Sequence, residues 1–298
     1  MTSPLSSFKL KYPVILSHGL FGFSRLGPIV YFNNIIQPLK SFGIKCEATT
    51  VHPTDSIKNR SLDLYKQMNE IMKSYNTDHC HFLAHSMGGL DSRYLISNLD
   101  QNQSVLSLTT LSTPHRGSYI AKWSIDNITE RFYIEKLIKK IGIPFEAIAN
   151  LTPDYLETDF NPNVLDQPHV TYYSYGAYKD SISNIFTPLY YFHDILSKKE
   201  GKNDGLVSLA SAKWGEQFKV ISNCDHRDLI NLGWSGYNAF PIYENIIRDL
   251  YKLEQENITN PKLLSSFILN NNKNNNNDNG KNISIYPNFN DLIKRNTD

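Results

Sequence analysis

Short apolar runs alternate with longer amphipathic ones along most of the chain. Tyr12 to Ser17 is an apolar strand that ends in the glycine-bearing turn His18 to Gly22. From Pro28 to Phe42 the apolar positions Ile29, Phe32, Ile35, Ile36 and Leu39 fall at helical spacing, and Gly43 closes the run. Ile44 to Val51 alternates as a strand. Asn59 to Tyr75 sets Leu62, Tyr65, Met68, Ile71, Met72 and Tyr75 on one helical stripe. His79 to Ala84 returns to a buried strand, Leu90 to Leu99 to a helix, and Val105 to Leu111 to a strand. Further strands are expected at Val170 to Gly176 and Phe218 to Ser222, before a closing helix from Phe240 to about Leu253 that buries Ile242, Ile246, Ile247 and Leu250. Strand and helix alternating in this way predict an α/β fold, a mostly parallel, doubly wound sheet covered on both faces.

Two stretches break the rhythm. Residues 119–163 read as a lid-like insertion, with an amphipathic run from Asp126 to Ile141 that places Ile134, Leu137, Ile138 and Ile141 on one face. Such a segment serves either as a packed surface helix or as a cover for an apolar acyl-chain trench. Beyond residue 253, the run Asn270 to Asn282 is nearly pure Asn with Lys, Asp and Gly, too polar to pack. The domain is therefore expected over 1–253 and a largely disordered Asn-rich tail over 254–298.

The 298 residues, 40% hydrophobic, suffice for one large core. A net charge of +1 gives no reason to expect nucleic acid as a ligand. Cys46, Cys80 and Cys224 are odd in number and unrelated in spacing, which fits a reducing compartment better than a disulfide framework. Residues 1–11 contain no apolar signal core, and no run reaches the length of a membrane span. A cytoplasmic protein is the expectation. Mitochondrial import is the alternative, because this stretch carries Ser and lacks acids. Nothing in the sequence sets an oligomeric state.

The chemistry centres on Ser86. Ala84-His85-Ser86-Met87-Gly88 is a small-x-Ser-x-Gly pattern placed between a strand and a helix, the arrangement of a nucleophile elbow. The bend leaves little room two residues before and after the serine, which Ala84 and Gly88 satisfy, and Gly89 lets the helix pack close. The elbow would put the Met87 N–H at a helix N-terminus, fit to stabilise an oxyanion, and the loop after the first strand would supply a second donor from Leu20. Partners of an elbow serine follow in the order Ser, acid, His. Of nine histidines, His226 alone lies beyond the Asp-Gly turn at Asp204, and it follows the last strand. Asp204 is the preferred acid and Asp180 its rival; Asp225 adjoins His226 and is poorly placed to turn back to it. His18, at a strand end beside Gly19, reads as a structural residue that ties down its loop.

These residues resemble the lipase branch of the α/β-hydrolases, the true bacterial triacylglycerol lipases with their intracellular fungal relatives. The resemblance is carried by Tyr12 to Phe23, Ala84 to Gly89, Ser112 to Ser118, Asn150 to Thr152 with Phe160-Asn161, and Asn203 to Val207, with 226 − 204 = 22 residues from acid to His. It implies an α/β-hydrolase fold with a helical lid. It also implies a serine esterase acting on acylglycerols or similar lipid esters through Ser86, Asp204 and His226, with Leu20 and Met87 as the oxyanion hole. Transient contact with a membrane or lipid-droplet surface follows from such a substrate. An acyltransferase or phospholipase on the same triad, or a non-catalytic lipid-binding protein on this fold, are the alternatives. The bacterial enzymes hold a structural calcium through an Asp before the acid turn, an Asp two residues after the His and a nearby Gln. Here Asp228 matches the second, Thr187 replaces the first and Leu232 stands near the Gln place, which argues against tight calcium binding; neither metal nor cofactor is expected.

Overall fold

The computed structural model describes residues 4–22, 25–26, 29–129, 145–182, 188–233 and 235–259. It divides the chain into units Met1–Glu256 and Asn257–Asp298; of the second, only the helix end to Thr259 falls among the described residues.

The strands are β1 (Val14–Ser17), β2 (Arg25–Leu26), β3 (Ile29–Val30), β4 (Cys46–Ala48), β5 (Cys80–His85), β6 (Val105–Leu111), β7 (Thr171–Tyr178) and β8 (Gln217–Ser222). Six of them form one sheet in the order β4-β1-β5-β6-β7-β8 with every pair parallel, while β2 and β3 make a small antiparallel pair. The main helices are α1 (Ile36–Ser41), α2 (Ile57–Ser74), α3 (Met87–Asn98), α4 (Tyr119–Thr129), α5 (Phe145–Ala149), α6 (Pro188–Glu200), α7 (Leu209–Ala212) and α8 (Phe240–Thr259). This is the parallel α/β sheet expected from the alternating pattern, in the α/β-hydrolase architecture that the resemblance implied.

Each sheet face has its own core, as parallel strands buried on both sides require. Val14, Leu16, Leu83 and Leu111 pack with Leu39 and with Ile246, Ile247 and Leu250 of α8. Ile15, Phe82, Ala84 and Leu108 pack with Leu64, Met68 and Met72 of α2 and with Leu95 and Ile96 of α3. Alternate residues of β1 therefore serve opposite cores, the period of two that a strand imposes.

Four elements differ from the pattern reading. The helix expected from Pro28 begins only at Ile36, because Asn34 turns the chain at φ +50° and Ile29–Val30 pairs instead with Arg25–Leu26. The buried face of α2 is Ile57, Ser61, Leu64, Met68 and Met72, rotated from the expected stripe. Arg60 and the Ser61 hydroxyl draw it toward α3, where Ser61 Oγ donates to the Asp91 carbonyl. Helix α6 was not expected at all. The closing helix runs past 253 to Thr259, and Glu254 is buried: its carboxylate accepts the Lys11 and Tyr12 N–H groups at 2.8 and 3.1 Å and lies 3.2 Å from His81 Nε2. The domain thus extends beyond the boundary read from composition. The Asn-rich run and most of the amphipathic stretch from Asp126 to Ile141 lie outside the described residues, as does Thr187.

Candidate active site

Strand β5 is buried over its whole length and ends at His85. The chain then turns through Ser86, at φ 56° and ψ −132°, into the first turn of α3. A side chain held there is strained and persists only when its surroundings fix it. They do so from two sides: the Ser86 N–H donates to Leu111 O at 2.9 Å, and Thr113 Oγ1 donates to Ser86 O at 2.8 Å. The small residues do what the pattern required. A Cβ on Gly88 would stand 2.7 Å from the carbonyl oxygens of Ser17 and His18, and one on Gly89 would collide with the Thr113 side chain.

The loop after β1 comes back over the serine. A Cβ on Gly19 would lie 2.7 Å from Ser86 Cβ and 3.1 Å from its Oγ, so the loop backbone passes directly across Ser86. Leu20 follows, and neither its N–H nor that of Met87 has a partner among the described residues. The loop is held from beneath by Arg60, fully buried, whose Nη2 donates to His18 O at 2.8 Å while Nε and Nη2 reach Asp91 Oδ2 at 2.9 and 2.7 Å. Burial pushes the Asp91 carboxyl up to about 6, against the pull of Arg60. Asp91 lies on α3, so one ion pair joins the helix of the elbow to the loop above it. His18 is structural, as its position suggested: Nδ1 donates to Gly19 O at 3.0 Å and Nε2 accepts the Val51 N–H at 3.2 Å. Burial lowers its pKa to about 4, which keeps it neutral.

Asp204 sits in the turn before α7. Gly205, at φ +99°, permits the bend, and its N–H donates to Asn203 Oδ1. Asp204 Oδ1 accepts the N–H groups of Leu206 and Val207 at 2.9 and 2.8 Å, which leaves Oδ2 for His226 Nδ1 at 2.7 Å. The His226 N–H also donates to the Asp204 carbonyl at 2.9 Å. Because a carboxylate only accepts, Nδ1 carries the imidazole proton and Nε2 is left as the base. The rival Asp180 is exposed at the end of β7, and Asp225 is occupied with the Arg227 and Asp228 N–H groups.

Ser86 and His226 line one cavity of about 560 Å³, otherwise mostly apolar, with Leu20, Ile120, Leu151, Leu189, Phe192 and Val207 among its walls. Two buried residues that pattern reasoning left without a role join its parts. His85 Nε2 donates to the His226 carbonyl at 3.0 Å, so its Nδ1 is an acceptor and takes the Tyr31 hydroxyl proton at 2.8 Å. The Tyr31 oxygen in turn accepts the Gly19 N–H at 3.0 Å. Burial first, and then the charge of His226, keep the pKa of His85 well below its ordinary value, which preserves this chain of donors. The position of His85 beside Ser86 was the available signal; nothing in hydropathy marked Tyr31. A more open cleft of similar volume around Trp214 shares none of this lining.

A parallel sheet with a serine at a strained strand-to-helix corner, a loop backbone crossing it and an Asp–His pair facing the same cavity defines an α/β-hydrolase. The palmitoyl protein thioesterase family model matches residues 13–200. Triacylglycerol lipase 2 of Saccharomyces cerevisiae is 38% identical over 217 residues, covering 70% of this chain and 64% of that protein. A triacylglycerol lipase of Vibrio cholerae is 32% identical over 252 residues, covering 74% and 80%. Among solved structures, the Staphylococcus hyicus lipase superposes with a TM-score of 0.66 at 18% identity, over 83% of this chain and 97% of that one. The mature Bacillus licheniformis lipase gives 0.63 at 20%, over 80% and 92%. The chain belongs to the family of α/β-hydrolases that the palmitoyl protein thioesterase model describes, and proteins named triacylglycerol lipase are among its relatives.

Proposed function

We propose that this chain hydrolyses acyl esters of lipids, triacylglycerols first among them, by a Ser86–Asp204–His226 triad through an acyl-enzyme. The observation that carries the reading is the hydrogen-bonded Asp204–His226 pair opening, with Ser86, onto one apolar cavity. Ser86 Oγ attacks the ester carbonyl while His226 Nε2 takes its proton and then delivers it to the leaving alcohol. Water deacylates the enzyme by the same route in reverse. Asp204 holds the imidazole in its Nδ1–H tautomer and stabilises the imidazolium. The Leu20 and Met87 N–H groups receive the charge that develops on the carbonyl oxygen. One such donor is commonly worth about 10²–10³ in rate.

The apolar walls suit an acyl chain, and the triacylglycerol lipase names of the relatives support a lipid ester as the substrate. The described parts of the lid-like insertion, 119–129 and 145–163, cover the cavity, since Ile120 and Ala121 of α4 and Ile148 of α5 are among its walls. Phe21, more than half exposed at the cavity, makes transient contact with a membrane or droplet surface. Among the described residues no helix is long and apolar enough to cross a membrane. The three cysteines are buried and unpaired, which agrees with a cytoplasmic location or, as the alternative, a mitochondrial one; cell fractionation distinguishes them.

A fluorophosphonate probe should label the native chain and not Ser86→Ala, and hydrolysis of long-chain esters should jump above their solubility limit. Labelling that survives Ser86→Ala would place the nucleophile elsewhere. Products in which the acyl group reaches an alcohol other than water would make the chain an acyltransferase. Preference for a phospholipid or for a palmitoyl thioester would change the substrate and keep the mechanism. A folded chain without activity on any ester or thioester would be a lipid-binding protein.

A further inference from the structure

The segment that carries His226 is fastened by charge. Asp225 and Asp228 flank it, both buried, and Asp228 is fully so. Asp228 Oδ1 accepts the Ser235 hydroxyl at 2.6 Å, and Oδ2 accepts the Asp225 N–H at 3.0 Å. Asp225 Oδ1 accepts the N–H groups of Arg227 and Asp228. Two carboxylates this near repel each other, and burial, followed by Asp228, pushes the Asp225 carboxyl above its usual range.

Into this pair reaches Lys179, the residue after β7. Its Nζ lies 3.1 Å from Asp228 Oδ2 and 3.7 Å from Asp225 Oδ2, with the side chain only 20% exposed. Its backbone N–H donates to Asn203 O at 3.1 Å, one residue before Asp204. Lys179 is therefore bonded to both halves of the Asp204–His226 pair, by its backbone to the acid turn and by its ammonium to the histidine segment.

Asp228 is the residue that matches a calcium ligand of the bacterial lipases, so the fit of a divalent ion can be tested against its surroundings. They do not suit one. An ammonium already sits against the carboxylate, both of its oxygens have other donors, and Gly233 packs so close that a Cβ there would fall 1.8 Å from Asp228 Oδ1. Among the described residues no three His, Cys, Asp or Glu side chains are grouped to hold a metal ion. A hard divalent cation needs six to eight oxygens, and a lysine ammonium beside the site repels it.

We propose that Lys179 is a positioning residue that takes the place of a metal ion: its ammonium clamps residues 225–228 and thereby holds His226 against Asp204. The inference rests on the reading of His226 as the catalytic base. A fixed internal cation cannot be stripped by a chelator, and the histidine segment keeps its geometry without an external ion.

The test is hydrolysis of a soluble short-chain nitrophenyl ester. EDTA should leave the native chain's kcat unchanged. Lys179→Ala should lose roughly 10²-fold in kcat, the usual effect of a slightly misplaced base, with KM altered by less than about threefold. Ethylammonium, which fits the vacated space, should restore part of that rate to Lys179→Ala and none to Lys179→Met, whose side chain fills the space without charge. Recovery by a small cation is a signature that loss of packing does not produce. If the alanine variant does not fold, Lys179→Arg retaining activity while Lys179→Met loses it supports the clamp, and equal losses overturn it. It is overturned as well if EDTA inactivates the native chain and calcium restores it, if Lys179→Ala keeps its kcat, or if ethylammonium recovers nothing. A native chain that neither hydrolyses the ester nor takes the fluorophosphonate label would instead refute the functional reading.

Discussion

Asp204→Asn isolates the role of one carboxylate with little change of shape. Asp204 Oδ1 accepts two backbone N–H groups, from Leu206 and Val207, and Oδ2 accepts His226 Nδ1–H. An asparagine has one oxygen, and two fixed donors compete for it against one. The amide oxygen therefore stays with the backbone, and the NH₂ turns to His226. The imidazole must then present a bare Nδ1 and carry its proton on Nε2, so it arrives at Ser86 as a donor rather than a base. Loss of the correct tautomer in a triad lowers kcat by about 10⁴, roughly 5 kcal/mol of barrier. The fold should survive, because every backbone bond of the turn is retained. Steady-state hydrolysis of a nitrophenyl ester and the second-order rate of fluorophosphonate labelling, with circular dichroism as the control for folding, measure the effect. A folded variant within tenfold of the native rate would refute the reasoning.

Gly19→Ala should depress kcat by about 10²–10³, the value of one oxyanion donor, because its Cβ must displace either the loop or Ser86, 2.7 Å away. Retention of near-native kcat would show that the loop has slack. His18, with a folded pKa of about 4 against 6.5 unfolded, gives stability that is present above pH 6.5 and lost as pH falls toward 4. The loss amounts to about 3 kcal/mol at 1.36 kcal/mol per pH unit. Urea unfolding of native chain and His18→Gln at several pH values should therefore yield a difference that shrinks by about that much between pH 7 and 4. A difference independent of pH would mean that His18 is not held neutral.

The elements whose residues carry their own local signal were legible in the sequence. The elbow was, because the bend at Ser86 demands small residues at fixed offsets, Ala84, Gly88 and Gly89, even though the groups that crowd the glycines, Ser17, His18 and Thr113, are distant in sequence. The Asp-Gly turn was, because Gly205 marks it, and so was the alternation of strand and helix, because apolar runs reflect burial directly. What escaped was polar and long-range. Arg60, Asp91 and Glu254 are buried yet read as surface residues by hydropathy, the Tyr31 hydroxyl is buried with no local sign of its partners, and each is satisfied by partners up to 243 positions away. The early helix was read too long because apolar spacing cannot report a residue such as Asn34 at positive φ. Lys179 carries no local signal either, because the two carboxylates it meets lie more than 40 positions further along the chain.

The Glu254 carboxylate ties the last helix of the domain to the backbone at the entrance of its first strand. A ribosome delivers Lys11 and Tyr12 long before Glu254, so during synthesis those N–H groups wait for an acceptor that emerges only with the final helix. The sheet can gather early, but its first strand is secured at the end. A messenger truncated shortly before codon 254 would release a protein in which Ser86, Asp204 and His226 are all present and whose opening strand is left unfastened.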